Sequence, residues 1–342
     1  MKRTWIKIGL GLVMVSSLCF FLKATDFTHL FRLLPQMGSS YLPILGVTFL
    51  AALAATLGWK QCLGKAGNGL SFATLFWLRH MGETLSLLNP AGVIGGDGFK
   101  LMLLQEKGVP TSAALVSLVL SRAFMILSQL GLLCCMVVLL FDFPGLFHFS
   151  GKGMWYFFVG FGTLVLLLLY IQRNKVLLTL PFLKENTALG RKVATAHAHI
   201  SKGKQQVIRY FIQHPFAVLG ASFWFTLHWM LGAAEFYLIL KFLQVPVGFL
   251  AALFLDLGVV LFKSLGMFIP AQVGVEEYGN KTMLATLGIT STEIWLAVSL
   301  LRRARQLFWL VVGLVTYFFW EYGRRVSKPT LDRENGSIVR QP

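Results

Sequence analysis

Apolar side chains run in long blocks along this chain, and charge, proline and glycine gather in the stretches between them. The blocks fall at 5–22, 41–63, 71–88, 111–141, 154–172, 215–243, 247–269 and 292–320. Each is long enough for an α-helix to cross a bilayer core, which takes roughly 20 residues. The pattern predicts an all-α polytopic membrane protein with about eight transmembrane helices. The short alternating segments of a membrane β-barrel are not seen. The block at 111–141 is too long to cross upright and is expected to tilt, kink or protrude. Pro43 and Pro215 fall in first turns, where proline is tolerated.

Composition supports that class. Hydrophobic residues make up 56% of the 342 residues and charged residues 13%, about half the charge of a soluble domain. Mean hydropathy is +0.69. The whole chain, 1–342, reads as one integral membrane domain. The N-terminus opens with Lys2 and Arg3 before an apolar run, but no small-residue cleavage site precedes Lys23, so it reads as an uncleaved first span. Cys19, Cys62, Cys134 and Cys135 lie in or beside apolar runs and show neither disulfide-framework nor metal-site spacing, which makes them packing residues.

The net charge is +17. Its lysines and arginines concentrate between spans, so a positive-inside bias and attraction to anionic lipid explain it, and no nucleic-acid partner is expected. The hydrophilic loop 173–214 holds eight Lys or Arg against one acid, Glu185. His197 and His199 in that loop have no third ligand nearby, so no metal is expected there. The tail 323–342 is polar and is expected to be cytoplasmic, with Arg324, Arg325 and Lys328. Phe99 follows Gly98, so the Gly-Lys-Ser/Thr of a phosphate-binding loop is missing, and no nucleotide or other cofactor is expected.

One polar stretch raises a sharper question. Residues 88–100 read LNPAGVIGGDGFK, and 269–281 read IPAQVGVEEYGNK. At an offset of 180 residues, without gaps, Pro90 meets Pro270, Asp97 meets Glu277, Gly108 meets Gly288 and Arg122 meets Arg302. The chain therefore reads as an internal duplication, repeat A over about 71–141 and repeat B over about 247–320. Each copy is an apolar helix, a Pro/Gly-broken segment carrying an acid, a glycine, then a helix carrying an arginine. Broken segments at matching positions of two halves point to a transporter binding site. If both segments cross the bilayer, the basic loop and both termini lie on the cytoplasmic side and the copies form an inverted repeat. If both are re-entrant, the basic loop falls outside. The positive-inside bias favours crossing.

The break leaves backbone groups that lipid cannot satisfy. GVIGGDG, read as the non-helical approach to a helix from about Phe99, would place Gly95 and Gly96 at a helix N-terminus able to cradle a phosphate or carboxylate. Close packing of small residues is the alternative. Arg122, Asp256 and Lys263 lie inside apolar runs and should face a polar cavity or partners. Asp256 and Lys263 stand two turns apart on one helix, too far to pair directly. Arg122 and Arg302 are matched by the repeat and would suit an anion, or would pair with Asp97, Glu276 or Glu277. Arg303 and Arg305 read as interfacial anchors. Arg79, His80 and Glu83 form a polar seam on one helix, and His228 beside Trp229 reads as a satisfied packing histidine.

At these residues the chain resembles the flippase-like transmembrane domain of lysylphosphatidylglycerol synthases, in its stand-alone form. NPAGVIGGDGFK with Arg122, and IPAQVGVEEYGNK with Arg302, carry the resemblance. Ala271-Gln272 departs from it, where relatives often have glycine. The resemblance implies a membrane domain that moves lipid between leaflets, without the soluble aminoacyltransferase domain, and hence not an enzyme. It leads to a lipid flippase of the bacterial inner membrane. In that reading Arg122, Arg302, Gly95, Gly96, Asp97, Glu276, Glu277 and Lys263 meet an anionic or phosphate-containing headgroup. Asp256 or Asp97 would carry any coupling proton. Two alternatives stand beside it. One is a non-transporting membrane partner of a lipid-modifying or glycosyltransferase enzyme. The other is a membrane-embedded transferase using Asp97 and Glu277 as paired carboxylates.

Overall fold

The computed structural model describes residues 37–88, 92–142, 215–266 and 272–336, together with isolated positions. The expected spans at 5–22 and 154–172, the loop 173–214 with His197 and His199, Pro90, Pro270 and the last residues of the tail lie outside the described residues. Among the described residues every regular element is helical.

Eight α-helices follow one another there: α1 (Tyr41–Leu63), α2 (Phe72–Leu88), α3 (Gly92–Glu106), α4 (Thr111–Asp142), α5 (Pro215–Phe242), α6 (Phe249–Leu265), α7 (Val275–Thr286) and α8 (Thr292–Gly336). Three helical stretches, Gly38–Gly67, Thr111–Met136 and Pro215–Phe242, are long and apolar enough to cross a membrane. At 1.5 Å per residue α3 and α7 are only about 22 and 18 Å long, short of a core about 30 Å thick.

The first four helices and the last four run in the same order, and the third turn of each set matches bond for bond. Between α3 and α4, Gly108 has φ 82°, its N–H donates to the Gln105 carbonyl, and Val109 N–H donates to Leu104. Between α7 and α8, Gly288 has φ 77°, its N–H donates to Ala285, and Ile289 N–H donates to Leu284. Both are left-handed glycine C-caps with the six-to-one bond that closes a helix end. Every residue of one turn lies 180 positions from its counterpart in the other, the offset read from the sequence.

Packing repeats the match. Helix α3 lies on α2 as α7 lies on α6, and α2 touches α8 as α6 touches α4. Across the halves, Trp229 on α5 donates to the Met125 carbonyl on α4 at 3.0 Å, and Trp309 on α8 donates to Thr48 Oγ1 on α1 at 2.9 Å. The two sets of helices meet most extensively along α1 and α5. There a β-carbon on Gly58 would come within 2.9 Å of the Phe225 ring, so the two backbones approach closely. His228 Nδ1 stands 2.9 Å from the Ala51 carbonyl across the same seam, a satisfied histidine. One buried cluster joins Trp59, Leu78, Phe124 and Phe225; another joins Ile44, Phe236, Phe254 and Met283.

Two boundaries differ from the sequence reading. Helix α3 starts at Gly92, not near Phe99, so Gly95, Gly96 and Asp97 are helical residues. Helix α8 continues past residue 320 to Gly336, even though Pro329 lies within that polar segment.

Candidate functional site

Two clusters of charged side chains sit inside this apolar bundle, one in each half. The first is built on α2, α3 and α4. Asp97, on the second turn of α3, accepts two bonds from Arg122 on α4, Nε to Oδ2 and Nη2 to Oδ1, both 2.9 Å. This is the bidentate fork a guanidinium makes with a carboxylate. Lys100, one turn along α3, donates to Asp97 Oδ1 at 3.1 Å and to Glu83 Oε1 on α2 at 2.6 Å. Glu83 Oε1 also lies 3.5 Å from Arg122 and 3.9 Å from Arg79. A small cavity, about 10 Å³ and enough for one water, opens among Arg79, Glu83, Lys100, Ser121 and Arg122.

Glycine brings α3 this close to α2. A β-carbon on Gly96 would meet Ser86 Oγ at 1.8 Å and the Gly82 carbonyl at 2.4 Å, and one on Gly82 would meet the Lys100 stem at 2.4 Å. Gly96 is thus a packing glycine in a helix. The expected free helix N-terminus at Phe99 is not there, because a glycine run read as a break serves instead to let two helices touch. Gly95 lies beside it on α3.

The second cluster is built on α5, α6, α7 and α8. Arg302 donates from Nη2 to Asp256 Oδ1 at 2.7 Å, and its Nε lies 3.2 Å from Glu276 Oε1. Glu276 also holds Lys263 at 3.2 Å and accepts from Gln306 at 2.5 Å. Asp256 and Lys263 therefore each find another partner, as their spacing required. Arg302 stacks over Phe236, 4.8 Å from the ring centre, and its buried Nη1 has no hydrogen-bond partner. Glu277 accepts from the Gly274 N–H at 2.7 Å, which caps α7, and also binds Arg303. Arg305 donates to Glu235 on α5 at 2.8 Å.

Arg303 and Arg305 are not interfacial anchors: both are held in ion pairs within the bundle, and Arg303 is buried. Arg122 and Arg302 fall into different clusters, each bound by carboxylates of its own half. The seam on α2 splits: Arg79 and Glu83 face the cluster, while His80 Nε2 turns to the Trp309 carbonyl at 3.0 Å. Gln272 adopts φ 52° although it is not glycine, and its side chain bonds the Lys263 carbonyl at 3.1 Å; Ala271 lies outside the described residues.

Sequence reasoning passed over Lys100, Glu235 and Gln306 as site residues. Glu235 is a lone acid in an apolar run and the cost of intramembrane charge marks it. Lys100 follows Asp97 by three residues, a spacing that pairs them only once α3 is known to be helical there. Among the described residues no group of His, Cys, Asp and Glu could hold a metal ion.

The sequence model of one family, the lysylphosphatidylglycerol synthase TM region, matches residues 5–314. The chain belongs to that family. No curated protein and no solved structure matches it. Membership places these clusters in a membrane protein, where each ion pair lies among helices that have apolar flanks.

Proposed function

We propose that this protein is a lipid transporter of the bacterial inner membrane that moves an anionic or phosphate-containing headgroup between leaflets. The observation that carries the reading is the pair of charged clusters at matched positions of two similar halves, each beside a helix too short to span alone. Charge inside a bilayer is costly and is kept where a polar route needs it. The family's association with an aminoacylated phospholipid fits the same chemistry.

In this account the two halves are an inverted repeat, with the basic loop 173–214 and both termini cytoplasmic. The headgroup passes the clusters while the acyl chains stay in lipid. Asp97, Glu276 and Glu277 serve as ion-pair partners that position cations, not as an acid–base pair, so no bond of the lipid is made or broken.

The test is mass spectrometry of lipids that co-purify with the wild type and with Arg122→Ala. Enrichment of one phosphate-containing lipid over the bulk membrane, lost in the variant, supports the reading. Bulk lipid alone in both samples contradicts it and favours a partner subunit of a lipid-modifying enzyme.

A further inference from the structure

The geometry points to a cradle of three cations, Arg79, Lys100 and Arg122, in which Glu83 holds the place of a ligand's phosphate until that phosphate displaces it. The inference rests on the transport reading and names the side chains that receive the headgroup.

Three observations carry it. First, the three cations converge on one atom: Glu83 Oε1 lies 2.6 Å from Lys100, 3.5 Å from Arg122 and 3.9 Å from Arg79. In each of the three pairs Oε1 is the nearer oxygen, and the Glu83 side chain is 36% exposed against 20% for Asp97. Asp97 accepts three hydrogen bonds, two of them parallel, whereas the Glu83 carboxylate accepts one, so Asp97 is the fixed anion of the cluster and Glu83 the exchangeable one. Second, the cations outnumber the acids. Without Glu83 the cradle keeps three cations against Asp97 alone, a surplus suited to a phosphate. Phosphate presents several oxygens to guanidinium and ammonium donors. Third, the adjoining cavity, about 10 Å³, has room for one water at most and cannot take a phosphate beside Glu83. Entry is therefore by exchange.

The second cluster has no such device. At the matched positions Arg79 becomes Val259 and Glu83 becomes Lys263. The side chains of Arg302 and Asp256 are each 4% exposed and that of Glu276 6%, so this cluster is shut off from solvent. Arg302 is then a structural tie, and the headgroup is bound in the first half.

Titration of the full chain in detergent tests this with three probes: inorganic phosphate, dihexanoyl phosphatidylglycerol and uncharged dihexanoylglycerol. Glu83→Gln removes the resident charge and is expected to tighten phosphatidylglycerol binding about tenfold, since apparent affinity rises as the occluded fraction falls. Arg79→Gln is expected to weaken it about tenfold through loss of a charged donor. Competition by inorganic phosphate shows a cradle for any phosphate; binding of the lipid alone shows that the glycerol and acyl groups take part. Dihexanoylglycerol binding as well as phosphatidylglycerol overturns the proposal, and so does unchanged or weaker binding in folded Glu83→Gln. If Glu83→Gln does not fold, Arg79→Gln decides, and unchanged affinity there overturns it. The two readings fail separately. Lipid flipping with no Glu83 effect removes the cradle and leaves transport, whereas a Glu83 effect without flipping does the reverse.

Discussion

Asp97 and Arg122 are joined by two parallel hydrogen bonds of 2.9 Å that tie α3 to α4. The pair spans a turn held by the left-handed Gly108, so it fixes the angle at which the short helix leaves the long one. Asp97→Asn is expected to lower stability by about 2 kcal/mol, toward the low end for a broken ion pair because both side chains keep some solvent. The fall in thermal unfolding midpoint of the detergent-purified protein measures it. Arg122→Lys is not expected to restore the wild-type midpoint, since an ammonium cannot make the fork.

Arg302 gives the contrasting case. Its removal strands the buried Asp256, while the buried Glu276 keeps Lys263 and Gln306. Arg302→Ala is expected to cost about 3–5 kcal/mol, the range for an uncompensated buried charge. It should therefore destabilise more than Arg122→Ala, whose partners are more exposed. Comparison of the two variants by thermal unfolding settles the order, and equal losses would count against the distinction between an open and a closed cluster.

Glycines two residues apart on α3 should behave oppositely. Gly96→Ala drives a β-carbon into Ser86 and the Gly82 carbonyl, and is expected to cost about 1–3 kcal/mol as overpacking. Gly98→Ala meets nothing within 4 Å and is expected to be neutral or to stabilise by about 0.5–1 kcal/mol through helix propensity. Unfolding midpoints check both.

These glycines also show how far the sequence could be read. The helices in the blocks 41–63, 71–88, 111–141, 215–243 and 247–269 were legible because hydropathy alone marks them, and α1, α2, α4, α5 and α6 occupy those blocks. The offset of 180 was legible because Gly108 and Gly288 are needed for the same left-handed turn. The state of GVIGGDG was not. A glycine run has the same composition whether it breaks a helix or lets two helices touch, and only the neighbour across the gap, Ser86, distinguishes them. Likewise Asp256 and Lys263 declared their need for partners, but Arg302 and Glu276 come from other helices. Arg305 was misread because its acid, Glu235, lies 70 residues away on α5.

Inversion of the two halves has its own test. Pro110 and Thr290 are exposed and equivalent, each just after its glycine turn. In a cysteine-free background, Pro110→Cys and Thr290→Cys are expected to react with a membrane-impermeant maleimide from opposite sides of the membrane. Labelling of both from one side would show parallel halves and remove the inverted-repeat account.

The most direct measurement is leaflet exchange of fluorescent phosphatidylglycerol in proteoliposomes, read as the fraction bleached by an impermeant reductant. The account predicts that the wild type exposes inner-leaflet lipid faster than empty vesicles do, and that Arg122→Ala, reconstituted to the same level, loses most of that gain. No exchange above empty vesicles, or equal exchange by the wild type and folded Arg122→Ala, would contradict a headgroup route through the first cluster.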